Sequence, residues 1–180
     1  MLTAVIDVRG EPIQLTATLG PLVRGVVEGL VGTAMLVARA QSEAVAEIAD
    51  AAGCRFLIAE TWAEGFARAV TNAPGAGILV LDSGLQLGPD FWPLLTDKLP
   101  VLGNRPAATE PAVNAGFASP LRMIGGVLNR ATGRVTRDSA LLLPPSRARE
   151  LAQAKADPFA QRYGQSLVRL KASVTRVDLR

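Results

Sequence analysis

Along the first 84 residues, short apolar runs alternate with stretches whose apolar residues recur at helical spacing. Leu2 to Val8 is apolar except for Thr3 and Asp7, and the turn Arg9-Gly10-Glu11-Pro12 closes it. A run of that kind, without polar alternation, predicts a strand covered on both faces. Leu15, Leu19, Leu22 and Val23 then share one helical stripe, and Pro21 is expected to kink or shorten that helix. Thr33–Ala38 predicts a second strand. Ser42 is a suitable N-cap for a helix carrying Val45, Ile48, Ala49 and Ala52 on one face, and Gly53 stands where a left-handed residue ends a helix. Arg55–Ala59 predicts a third strand, Trp62–Asn72 a helix, and Gly77–Asp82 a fourth strand after the Pro74-Gly75 break.

Beyond residue 84 the pattern weakens. Asp90–Leu99 predicts a short helix, and residues 100–117, with three prolines, predict a loop. Ser119-Pro120 opens a helix running to Ala131, a cap followed by proline at the first helical position. Ser139–Leu143 predicts a strand and Ser146–Ala156 a helix. Leu167, Val168, Leu170 and Val174 predict a further helix followed by a strand-like end. Strands alternating with helices imply a three-layer α/β/α sandwich with a mostly parallel central sheet, in one domain over residues 1–180. Ligands of such sheets lie beyond the carboxyl ends of the strands. The candidate chemistry is therefore at Asp7 to Glu11, Ala38 to Ser42, Glu60 to Gly65 and Asp82 to Gly84.

Composition removes several mechanisms. The chain has no histidine and one cysteine, Cys54. Neither a Ser-His-Asp triad, a histidine-ligated zinc, a Cys-His pair nor an internal disulfide can be assembled from it. Cys54 reads as a small buried hydrophobe. Without a disulfide framework or a signal-peptide pattern, the expected location is cytoplasmic, either free or peripheral at the inner membrane. Charge is divided unevenly: residues 1–117 hold 7 Lys and Arg against 12 Asp and Glu, whereas residues 118–180 hold 12 against 4. The basic carboxy-terminal third suits an anionic membrane surface or acceptor, or is a solvated basic face. With one Tyr and two Trp, base-stacking platforms are scarce and no nucleic-acid partner is expected.

Phosphate-loop motifs are missing: there is no Gly-Lys dipeptide, and the first strand is followed only by Gly10. Asp82 closes a very apolar strand, where a charge is costly unless paired. It reads equally as a turn residue, in Asp82-Ser83-Gly84, or as a metal or ribose ligand. Asp7 sits similarly and is placed to pair with Arg9 or Arg39. Asp138, among Arg130, Arg134 and Arg137, reads as a salt-bridge partner, and Arg68 as a surface charge or a phosphate contact.

In this order the pieces resemble a family 2 glycosyltransferase of GT-A fold. Val5-Ile-Asp-Val-Arg-Gly-Glu11 is similar to the family's opening V-I-P-T-R-N-E, with Ile6, Arg9 and Glu11 kept. Leu36 through Gly53 is similar to V-V-D-G-G-S-T-D-A-T-A-E-I-A-R-A-A-G, and Gly77 through Phe91 to W-L-L-F-L-D-A-D-x-x-L-P-P-x-F. Leu121 through Asn129, Gly133, Asp138 and Leu143 is similar to the acceptor-side stretch L-L-x-x-x-x-x-R-x-x-G…D-Q. The resemblance implies a nucleotide-binding half over 1–99, an acceptor half over 100–180, and transfer of a sugar from a nucleotide-sugar. It implies donor contacts at Asp7, Val8, Arg9, Glu11, Arg39, Arg68, Asp82 and Ser83. Asp82 and Asp138 are its catalytic candidates, with Glu11 as a substitute base.

The departures from the family pattern are chemical. The base-holding acidic position is Ala38, and the metal-ligating end of Asp-x-Asp is Gly84, so Mg or Mn lacks its usual ligand. The family's E-D-x-D-L-x-x-R base stretch corresponds to a helix over Tyr163-Gly-Gln-Ser-Leu-Val-Arg169, without a carboxylate. Two expectations follow: a metal-independent or weakly active transferase whose arginines neutralise the diphosphate, or an inactive module that keeps the scaffold for binding. A nucleotidyltransferase would need paired carboxylates and a Gly-rich loop that the motifs do not supply.

Overall fold

The computed structural model describes residues 1–73, 77–112 and 133–177. Its centre is a seven-stranded sheet in the order β3-β2-β1-β4-β7-β6-β8. Here β1 is Leu2–Asp7, β2 Val31–Ala38, β3 Arg55–Ile58, β4 Gly77–Asp82, β6 Ala107–Thr109, β7 Leu141–Leu143 and β8 Val168–Leu170. The pairs among β1 to β4, and β6 with β8, are parallel, while β7 runs antiparallel between β4 and β6. A second sheet of two antiparallel strands joins β5 (Leu85–Leu87) to β9 (Val174–Arg176).

Every residue of β1 and β4 is buried, which explains their unbroken apolar sequence. Ala4, Ile6, Leu36, Leu79 and Leu81 face one way, packing with Leu15 and Leu22 of α1 (Pro12–Val27), Val45 and Ala49 of α2 (Glu43–Ala51), and Phe91, Trp92 and Leu95 of α4 (Phe91–Leu102). Val5, Met35, Val37, Ile78 and Val80 face the other way, against Trp62 and Phe66 of α3 (Trp62–Thr71) and Ala148 and Leu151 of α5 (Pro145–Gln153). These are the three layers expected. Each fully buried aliphatic side chain contributes about 1.5–3 kcal/mol of transfer free energy. Gly25 of α1 is needed for this packing: a Cβ there would lie 2.5 Å from the Trp92 ring.

Ser42 caps α2 by accepting from the Val45 amide at 3.4 Å, and Thr61 caps α3 by accepting from Glu64. Pro21 lies within α1 without ending it. Several expectations are corrected. Residues 100–117 contain the end of α4 and the interior strand β6 rather than loop alone. The helix expected over Tyr163–Arg169 is one 3₁₀ turn, Gly164–Ser166, followed by β8. Three-residue strands carry too little period to register in a sequence, and their partners fix them instead. The helix expected over Ser119–Ala131 lies outside the described residues. Among the described residues, no helix is long and apolar enough to cross a membrane.

Candidate active site at the strand ends

Parallel pairing of β1 with β4 sets Asp7 directly beside Asp82 in register. Both carboxylates are essentially buried, and four arginines converge on them. Arg39 donates to Asp7 Oδ1, and Arg9 Nε donates to Asp7 Oδ2 at 3.0 Å. Arg137 Nη1 donates to the same Oδ2 and lies 3.5 Å from Asp82 Oδ1. Arg9 Nε is 3.7 Å from Asp82 Oδ1, and Arg176 Nη2 donates to Asp82 Oδ2. Each carboxylate oxygen therefore has a guanidinium partner, the condition under which buried charge is tolerable.

Two further carboxylates sit at the rim. Arg137 Nη2 donates to Asp157 Oδ2 at 2.8 Å, and Arg176 Nη1 donates to Asp138 Oδ1 at 3.0 Å. Asp157 Oδ1 accepts from the Trp62 indole at 3.1 Å and from the Phe159 amide at 2.9 Å, which caps the 3₁₀ turn Pro158–Ala160. Arg39 lies over the Trp62 ring, and Arg137 over Phe159. Burial raises the Asp82 pKa, outweighing the opposite pull of the Arg176 hydrogen bond and charge.

The turn after β4 is built around backbone groups. Ser83 donates its amide to the Asp7 carbonyl at 3.0 Å, while its hydroxyl accepts from the Arg9 amide and donates to the Arg9 carbonyl. Gly84 has φ +87°, a backbone that side chains rarely adopt. Its amide donates to Thr18 Oγ1 and the Gln14 carbonyl, and its carbonyl accepts from Val177. That last bond ties the β9 end, and with it Arg176, to the site.

Most of the residues expected here arrive together. Asp7, Arg9, Arg39, Asp82, Ser83 and Asp138 share the hydrogen-bond network, and the half-buried Val8 lends its carbonyl to Arg39 at 3.3 Å. The expectation that Asp7 pairs with Arg9 or Arg39 is met by both. Glu11 is exposed at the start of α1, where its carbonyl accepts from Gln14, and Arg68 is exposed and donates to the Ile58 carbonyl at 2.7 Å. Neither is among the groups bonded to Asp7 or Asp82. Ala38 is buried at the end of β2, so Arg39 is the residue that this strand contributes. Sequence reasoning missed Arg176 and Asp157, covered Trp62 only within the Glu60–Gly65 segment, and placed Arg137 beside Asp138 rather than on Asp7 and Asp82. Arg176 stands 94 positions from Asp82, with no local pattern to mark it.

A divalent cation does not fit these residues. Among the described residues, no three Asp, Glu, Cys or His side chains are grouped to hold one. At Asp82 a cation would meet the guanidinia of Arg176, Arg137 and Arg9, and the neighbouring ligand position is a glycine.

No family model matches the chain, and no curated protein matches it in sequence. Solved structures do match. Glucosyl-3-phosphoglycerate synthase from Mycobacterium tuberculosis, in complex with Mn²⁺, UDP and glucosyl-3-phosphoglycerate, superposes with a TM-score of 0.65 at 13% identity, over 99% of this chain and 72% of that one. The chain has a GT-A glycosyltransferase fold. The same enzyme with Mn²⁺ and UDP-glucose gives 0.65 at 13% identity, over 99% and 71%. Its complex with phosphoglyceric acid gives 0.64 at 15%, over 99% and 72%.

Proposed function

We propose that this GT-A protein binds a nucleotide-sugar across the carboxyl ends of β1, β2 and β4 and transfers the sugar to an acceptor without a divalent cation. The observation behind this reading is the convergence of Arg9, Arg39, Arg137 and Arg176, whose side chains remain 21–48% exposed, on one strand-end pair of carboxylates. A guanidinium carries five donors in a planar fork suited to phosphate, and Asp7 and Asp82 use only part of that set. Asp7 and Asp82 hold the forks in place, so little reorganisation is needed when a diphosphate arrives. In the transfer step the acceptor oxygen bonds to the anomeric carbon as that carbon's bond to the diphosphate oxygen breaks. The acceptor proton passes to Asp138, the more exposed carboxylate, and the bonding pair leaves on the diphosphate oxygen, whose negative charge the arginines neutralise.

A non-catalytic binding module is the second reading. It is favoured by the saturation of all four oxygens of Asp7 and Asp82 by the chain's own arginines. One experiment separates the two. Melting is followed with UDP, GDP and their sugars, in Mn²⁺ and in EDTA, and sugar release or transfer is measured beside it. A donor at 100 times its Kd stabilises by about 2.7 kcal/mol. Equal stabilisation in EDTA with turnover supports metal-free transfer, and stabilisation without turnover supports the module. No shift with any nucleotide overturns the transfer reading and leaves a module that binds something other than a nucleotide.

A further inference from the structure

Arg137 and Arg176 are used in the same way, though they come from different parts of the chain. Each places one terminal nitrogen on a strand-end carboxylate, Asp7 or Asp82, and the other on a rim carboxylate, Asp157 or Asp138. The inner carboxylates are 0% and 2% exposed, and the rim carboxylates 30% and 38%. The rim pair is therefore the replaceable pair: inner partners anchor each guanidinium, and outer partners occupy the edge that faces an incoming anion. A carboxylate and a phosphoryl group present similar oxygen pairs to a guanidinium fork.

We infer that Asp157 and Asp138 are internal stand-ins for the two phosphoryl groups of a diphosphate, which displaces them from Arg137 and Arg176 on binding. This rests on the donor-binding reading above and adds a competition within the site. Displacement also leaves Asp138 without its Arg176 partner, free to take a proton.

The two rim residues can be neutralised without removing their other contacts. In Asp157→Asn the side-chain oxygen still accepts from Trp62 and Phe159, and Asp138→Asn is similarly isosteric. Asp50→Asn, on the exposed side of α2, adds the same unit of net charge elsewhere. Pyrophosphate and UDP are titrated by calorimetry at low salt into the full chain and the three variants, with melting curves to confirm folding. Asp157→Asn and Asp138→Asn are each expected to tighten both ligands about fivefold, the scale of a partly exposed ion pair, with Asp50→Asn unchanged. Tightening of UDP but not pyrophosphate would overturn the phosphoryl assignment. Equal tightening by all three variants would reduce the effect to net charge and overturn it. Binding by the unaltered protein with no gain in either rim variant would also overturn it, leaving donor binding intact. No binding by any of the four proteins would remove the donor reading as well.

Discussion

Asp7 and Asp82 end six-residue strands that are buried along their whole length, whereas the groups that neutralise them from the carboxy-terminal third stand on scant local structure. Arg137 is in a loop segment and its other partner, Asp157, caps a single 3₁₀ turn, while Arg176 ends a three-residue strand in a two-stranded sheet. Two-stranded pairings of that length are marginal in water without further support. The amino-terminal strands thus place two charges where the fold expects a ligand, and the later segment decides what those charges may bind. On the proposed reading, the positive charge that a metal would otherwise supply is carried by the chain itself.

The largest effect is expected where the two regions meet. Arg137→Ala removes a partner from both Asp7 and Asp82 and leaves Asp157 without its guanidinium. Removing one side of a buried ion pair costs about 3–5 kcal/mol when the remaining charge is stranded; Asp7 keeps Arg9 and Arg39, and Asp82 keeps Arg176, so the loss should approach the lower end of that range. Arg134→Ala, three residues earlier and exposed, should stay within about 0.5 kcal/mol. Urea denaturation of both variants checks the contrast. Similar small losses would mean that the carboxy-terminal arginines decorate the site rather than hold it.

The same contrast explains what could be read from the chain. The first four strands and three helices follow from apolar runs, from Ser42 as a cap and from breaks at Pro12 and Pro74, all of them local signals. Asp7 with Arg9 and Arg39 is legible because the strand-end rule brings nearby turns together. Arg176 is not: its partner lies 94 residues away, and only the pairing of β9 with β5 brings it there. The expected helix over Tyr163–Arg169 failed for a related reason. Leu167, Val168 and Leu170 fit either period over so short a span, and pairing with β6 selected the strand. Charge counting found the basic third but not its direction, since Arg137 and Arg176 are turned inward onto carboxylates.

A smaller effect tests the turn between the regions. Gly84→Asp puts an acidic residue where the sequence resemblance would place a metal ligand but forces it into φ +87°, with Gln14 Cβ and the Val177 carbonyl about its Cβ. That strain should cost about 1–2 kcal/mol. Mn²⁺ should leave the melting temperature of this variant unchanged, because Arg176 and Arg137 still cover Asp82. A Mn²⁺-dependent rise in the variant alone would show that the glycine, not the arginine lattice, is what excludes the metal.

The smallest effect concerns the sign of the Asp82 balance. Burial raises its pKa in the folded protein above the ordinary 3.8, even with Arg176 attached. The folded state therefore holds the Asp82 proton more tightly than the unfolded chain does. This contribution to stability is fully present below the unfolded value and is lost as pH rises through the raised folded value. Asp82→Asn cannot lose it. The stability of the unaltered protein, measured relative to Asp82→Asn by denaturant midpoints, should accordingly fall as pH rises from just below the ordinary carboxylate range to neutrality. A difference that rises instead would mean that Arg176, Arg137 and Arg9 together outweigh desolvation. The carboxy-terminal third would then stabilise the strand-end charge as well as neutralise it.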